Sequence, residues 1–195
     1  RVSTERDESG LITQPKIEYV FNEDGTVNWR KMVKEKFLVS NKQRTQETDV
    51  SKLEDHQLII LLGGIKELAQ IRGYTNVRYE VTSPSSDYVV ATCSIDWIPN
   101  YETEGRPVTF SAIGDASPQN TQSFAKFFLG PIAENRAFVR CVRNFLKINI
   151  VAQEELGNTK IFEEESQSSQ TDPKYLLENV MKEKNVTFKQ IKIKL

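Results

Sequence analysis

The apolar residues of this chain change rhythm along its length, and each rhythm predicts an element. In "SKLEDHQLIILLGGIKELAQIRGY", Ile65, Leu68, Ala69 and Arg72 fall at i, i+3, i+4 and i+7, one face of a helix. Gly73 follows as a stop. The period then drops to two. In "NVRYEVTS", Val77, Tyr79 and Val81 alternate with Arg78, Glu80 and Thr82. "DYVVATCSIDWIP" and "RPVTFSAIGDA" are two further runs rich in β-branched and aromatic residues. "SPSSD" and "PNYETEG" separate the three with turn residues, so they predict an antiparallel meander. After the polar loop "DASPQN", an aromatic-rich stretch breaks at Gly130-Pro131, and a helix is predicted over 131–148.

The flanks are less regular. Residues 1–24 are polar and predict an N-terminal arm. After the Asp24-Gly25 turn, Trp29, Met32, Val33 and Phe37 are spaced for one helical face. Residues 41–55 form a polar loop without period. Residues 25–150 therefore make one α+β core, an antiparallel β-meander packed on a long helix. Residues 151–171, acidic and Ser/Gln-rich, are expected to be a linker. Residues 172–195 predict a C-terminal helical hairpin, with Pro173 in a first turn and Leu176, Leu177, Val180 and Met181 on one face. Such a hairpin is too short to be stable alone.

Composition narrows the classes. The chain has 195 residues, 38% hydrophobic and 27% charged, with a net charge of −1, so any affinity for a polyanion must come from local charge. No run of 18 apolar residues suggests a membrane span, and "RVSTERDESG" has no apolar signal core, which points away from secretion. Cys93 and Cys141 lie far apart in apolar runs, as buried free thiols of a reducing compartment do. With one histidine, His56, no metal-ligand spacing, no nucleophile motif and no phosphate loop in "LLGGIKELA", neither catalysis nor a cofactor is expected.

The helix over 131–148 carries the most chemistry. Arg136, Arg140, Arg143 and Lys147 are spaced four, three and four apart. At about 100° per residue they fall within roughly a 60° stripe. Phe138, Cys141, Val142, Phe145 and Leu146 take the opposite side. Glu134 is the segment's one acid and projects elsewhere, so the stripe has no local counter-charge. Two readings stay open: a phosphate-binding row, which arginine forks suit, or a surface paired with acids elsewhere in the chain. Lys126 and Arg78 are weaker groove candidates, as is Arg106. Tyr74, Tyr79, Tyr101, Phe127 and Phe128 are the available aromatics.

The order of features resembles the Rad-fifty-two-like superfamily of single-strand annealing proteins. "GGIKELAQIRGYTNVRYEV" and "AIGDASPQNTQSFAKFFLGPIAENRAFVRCVRNFL" stand where that family has a helix ending in Gly-Tyr, a β-meander, a Gly-containing strand end and a basic helix. The match covers roughly residues 58–150. The resemblance implies a β-β-β-α core that assembles into a ring or filament of identical subunits, with single-stranded DNA in a basic groove. It places the family's basic pair on Arg140 and Arg143. A further basic position of the family falls on Val139, and the glycine that ends the family's helix is Leu146 here, so the helix is expected to continue through Lys147. It also implies a role in recombination and repair in the cytoplasm of a bacterium or phage-infected host. Partners would be single-stranded DNA, further copies of the chain, and a single-strand-binding protein or exonuclease, with no membrane.

The expected DNA contacts are thus Arg136, Arg140, Arg143, Lys147, Lys126 and Arg78. Charge reversal at Arg140 and Arg143 is expected to abolish strand binding and leave the fold intact. The competing class is a non-catalytic adaptor that uses the basic helix and the hairpin to bind protein.

Overall fold

Period-two and period-3.6 stretches both become real elements, joined by shorter ones that the pattern does not announce. The structure, a computed structural model, describes residues 4–82, 85–121 and 126–157. In chain order these residues form β1 (Glu5–Arg6), β2 (Ile12–Gln14), β3 (Leu38–Ser40), β4 (Leu58–Ile60), α1 (Leu62–Arg72), β5 (Tyr74–Val81), β6 (Val89–Trp97), β7 (Val108–Ala116), α2 (Leu129–Phe145) and β8 (Val151–Ala152). The described protein is therefore mixed α/β, with antiparallel sheets and two α-helices. The expected C-terminal hairpin lies outside the described residues.

β5, β6 and β7 form an antiparallel meander in that order. On β6, Ala91, Cys93, Ile95 and Trp97 face inward and are buried, while Val90, Thr92, Ser94 and Asp96 between them are only partly so. α2 lies against β6 and β7 on the inward face. Gly114 makes this close approach possible: a Cβ there would meet the Ala137 nitrogen at 2.3 Å and the Ala133 oxygen at 2.6 Å. Cys93 and Cys141 are buried free thiols at this junction. The hydrogen bond with Cys93 and burial raise the Cys141 thiol above its ordinary range.

α1 buries Ile65, Leu68, Ala69 and Arg72, the face read from spacing. The Arg72 side chain is wholly buried and ion-pairs with Glu102 at 2.7 Å. It also donates to the Ile98 carbonyl and to Asn100 Oδ1, so the charge is compensated where it is desolvated. Gly73 ends the helix at φ +87°, a conformation that glycine adopts without strain.

Several expectations are corrected. Trp29 to Phe37 form turns and a 3₁₀ segment rather than an α-helix. Asn28 Oδ1 accepts from the Lys31 backbone nitrogen, a local bond that competes with helix. Lys34 is extended, and the Phe37 ring lies over Gly63 and Gly64 at the start of α1. The N-terminal arm is laid onto the body. Arg6 donates to Gly10 and to the carbonyls of Gln70, Ile71 and Arg72, where a cation suits the helix C-terminus. β3, β4 and β8 make a second small sheet, with β4 and β8 parallel. Residues 151–157 therefore belong to the folded body rather than to a linker.

Candidate nucleic-acid interface

α2 runs from Leu129 to Phe145, not from 131 to 148. Gly130-Pro131 does not break it, because Pro131 sits in the first turn, where a missing N–H is not needed. Beyond the helix, Lys147 turns back at φ +56°. Lys147 is therefore outside the helical stripe, which corrects the expectation that the helix continues through it. It lines a separate cavity of about 730 Å³ with Trp29, Tyr101, Glu102 and Phe145.

Arg136, Arg140 and Arg143 do share one side of α2, and that side is occupied. Arg136 is 7% exposed. Its Nε donates to the Glu154 carbonyl at 2.7 Å, Nη1 to the Asp115 carbonyl and to Asn120 Oδ1, both at 2.7 Å, and Nη2 to the Asn120 carbonyl at 2.6 Å. Burial draws its guanidinium below the usual arginine range, and Asp115 works against that fall. Arg140 donates through Nη1 to the Ile113 carbonyl at 2.8 Å and approaches Glu155 at 3.4 Å. Arg143 donates to the Ile150 carbonyl at 2.6 Å and to Glu155 at 2.5 Å. Glu155 also accepts from the Ala152 nitrogen at 3.3 Å.

The stripe is thus not without counter-charge. Glu155 supplies it from the segment after β8, fifteen and twelve residues from Arg140 and Arg143. Carbonyls of β7 and of residues 120, 150 and 154 take most of the remaining donors. Arg136 is corrected from a candidate phosphate ligand to a buried clamp. Arg143 is largely a clamp too, with its side chain 13% exposed, whereas the Arg140 side chain keeps 36%. Charge reversal at Arg143 would break its bonds to Ile150 and Glu155, so a loss of stability is expected there beside any effect on binding.

The other candidates sit apart. Arg78 lies on the sheet face opposite α2, in register with Ser94 and Ser111. Both its terminal nitrogens bond Asp96. That pairing raises the Arg78 pKa and holds the Asp96 carboxyl below its usual range. Lys126 is exposed just before α2, beside Phe127, which is 83% exposed. Among the described residues, neither Lys126 nor Lys147 has an ion-pair partner within 4 Å. Also among them, no group of three His, Cys, Asp or Glu could hold a metal ion, and no helix is long and apolar enough to cross a membrane.

No family model, curated protein or solved structure matches this chain.

Proposed function

We propose that this chain binds single-stranded DNA and anneals complementary strands as a homo-oligomer in recombination or repair, without performing a chemical step. The observation that carries the reading is the order of elements: α1 closed by Gly73, the meander of β5 to β7, Gly114 pressed onto a helix, and α2 itself. This is the order on which the resemblance to the annealing superfamily rests.

The chemistry shifts from the row of arginines to the ends and rim of α2. Lys126 and Lys147 flank the helix as exposed cations, and Arg140 stays partly exposed between them. Phe127 is a solvent-facing aromatic next to Lys126, a pairing that suits base stacking beside a phosphate contact. Backbone-tracking cations with one stacking platform hold a strand without reading its sequence and leave base edges accessible for pairing. Arg136 and Arg143 then act by fixing α2 rather than by touching DNA.

The test is fluorescence anisotropy of a labelled oligothymidylate over a salt series, followed by energy-transfer measurement of annealing. Binding should weaken as salt rises. Phe127→Ala should weaken it by about tenfold, the loss of one stacked base, and Lys126→Glu should flatten the salt dependence. No binding at low salt would overturn the reading. The alternative is a non-catalytic protein-binding adaptor that uses the basic helix and the C-terminal hairpin. An acidic protein surface that binds the chain and is not displaced by oligonucleotide would select it.

A further inference from the structure

We propose that two copies of this chain join through the outer edge of β5, antiparallel and about a two-fold axis at Tyr79, into a continuous six-stranded sheet. The proposal does not rest on DNA binding.

β5 is an edge strand, paired on one side by β6 and on the other by nothing among the described residues. Edge strands are usually protected by Pro, Lys, a bulge or a covering element. β5 has an irregular register between Tyr74 and Asn76, at its start. From Val77 to Val81 it has neither Pro nor Lys. α2 packs chiefly on β6 and β7. Tyr79 and Val81, on the helix-facing side, are left 41% and 46% exposed.

The sequence of β5 is complementary to itself in one register. With Tyr79 opposite Tyr79, Val77 of each copy faces Val81 of the other, extending the apolar side. On the polar side, Arg78 of each copy, which also bonds Asp96 of its own chain, faces Glu80 of the other, setting opposite charges across the strands twice. A shift of two residues in either direction sets Arg78 against Arg78 or Glu80 against Glu80. A shift of one sets apolar side chains against polar ones. Charge and polarity therefore select the same register.

The opposite edge decides the symmetry. A head-to-tail array would need the β5 edge of one copy to pair with the β7 edge of the next. The Ile113 and Asp115 carbonyls of β7 already accept from Arg140 and Arg136. The C-terminal end of that edge is occupied by side chains of its own helix, which favours closure at two copies over a running array.

Sedimentation equilibrium of the full chain should report a species of twice 22.4 kDa. Glu80→Arg sets arginine opposite Arg78 and should shift the mass to the monomer. Arg78→Glu combined with Glu80→Arg restores opposite charges and should recover the dimer, with circular dichroism confirming that each variant is folded. Tyr79→Cys should form a covalent dimer under a mild oxidant, and this readout decides the matter if a charge variant fails to fold. A wild-type chain that stays monomeric at every concentration overturns the proposal. So does an oligomer that Glu80→Arg leaves unchanged, or a folded Tyr79→Cys variant that does not cross-link.

Discussion

Along β7 the outer edge of the meander is closed by arginines of α2, which donate to the alternate carbonyls of Ile113 and Asp115. Along β5, the other outer strand of the same sheet, no element covers the edge among the described residues, and Tyr79 and Val81 are about half exposed. The two edges differ because α2 packs chiefly on β6 and β7. Its basic side meets backbone at the β7 edge. A row of arginines on a helix invites a phosphate-binding interpretation. Here the same row meets a standing need of β structure, to satisfy and blunt an exposed edge.

If that account holds, the two edges should respond very differently to loss of an arginine. Arg136→Ala removes four hydrogen bonds and takes a donor from the part-buried carbonyls of Asp115, Asn120 and Glu154. The expected loss is about 3–5 kcal/mol, read as a lower urea midpoint at unchanged slope. Arg78→Ala on β5 breaks a solvent-exposed pair with Asp96 and should leave the urea midpoint almost unmoved. Equal losses would mean that β7 is not closed by Arg136 in any energetic sense.

How far the sequence reveals this difference depends on the range of each signal. The alternation of Val77, Tyr79 and Val81 and the spacing of Ile65, Leu68, Ala69 and Arg72 are local, and both elements form where that spacing places them. Trp29, Met32, Val33 and Phe37 show the same helical spacing without a helix, since Asn28 and the extended Lys34 redirect the backbone. β3, β4 and β8 are three, three and two residues long, below any period that can be read. The α2 arginines were visible as a row, but their partners were not. Glu155 sits in an acidic run that reads as solvated linker, and the Ile113 and Asp115 carbonyls leave no trace in residue identity. Charge can be counted from a sequence; its neutralisation by backbone has no such signature.

Glu155 sharpens the comparison at an intermediate scale. Glu155→Gln keeps the shape of the side chain and removes the charge that Arg140 and Arg143 share. A loss of about 1–2 kcal/mol is expected, since hydrogen bonds to a charged group weaken to ordinary ones. Under the proposed function the same change should tighten oligothymidylate binding and steepen its salt dependence, because it uncovers positive charge at the rim of α2. Lower stability with unaltered binding would confine both arginines to the fold.

The smallest expected effect tests the same closed edge through a proton. Glu154 supplies the carbonyl that receives Arg136 Nε, while its own Oε2 is buried with no hydrogen-bond partner among the described residues. Burial, helped by the neighbouring Glu155 charge, raises the Glu154 pKa above its ordinary value of 4.5. The direction of the pH effect follows from linkage. Below the ordinary value the group is protonated in both folded and unfolded chains and contributes no pH dependence. As pH rises from that value to the raised folded value, the unfolded chain ionises first, so stability falls. Above the folded value the loss is complete. Glu154→Gln removes the titration, so the variant should gain thermal stability relative to wild type between mildly acidic and neutral pH, with the gap closing near pH 4. Melting temperatures of both proteins across that range measure it. A gap that does not change with pH would show that the Glu154 carboxyl is solvated, and that the clamp at Arg136 holds β7 without burying its neighbour's charge.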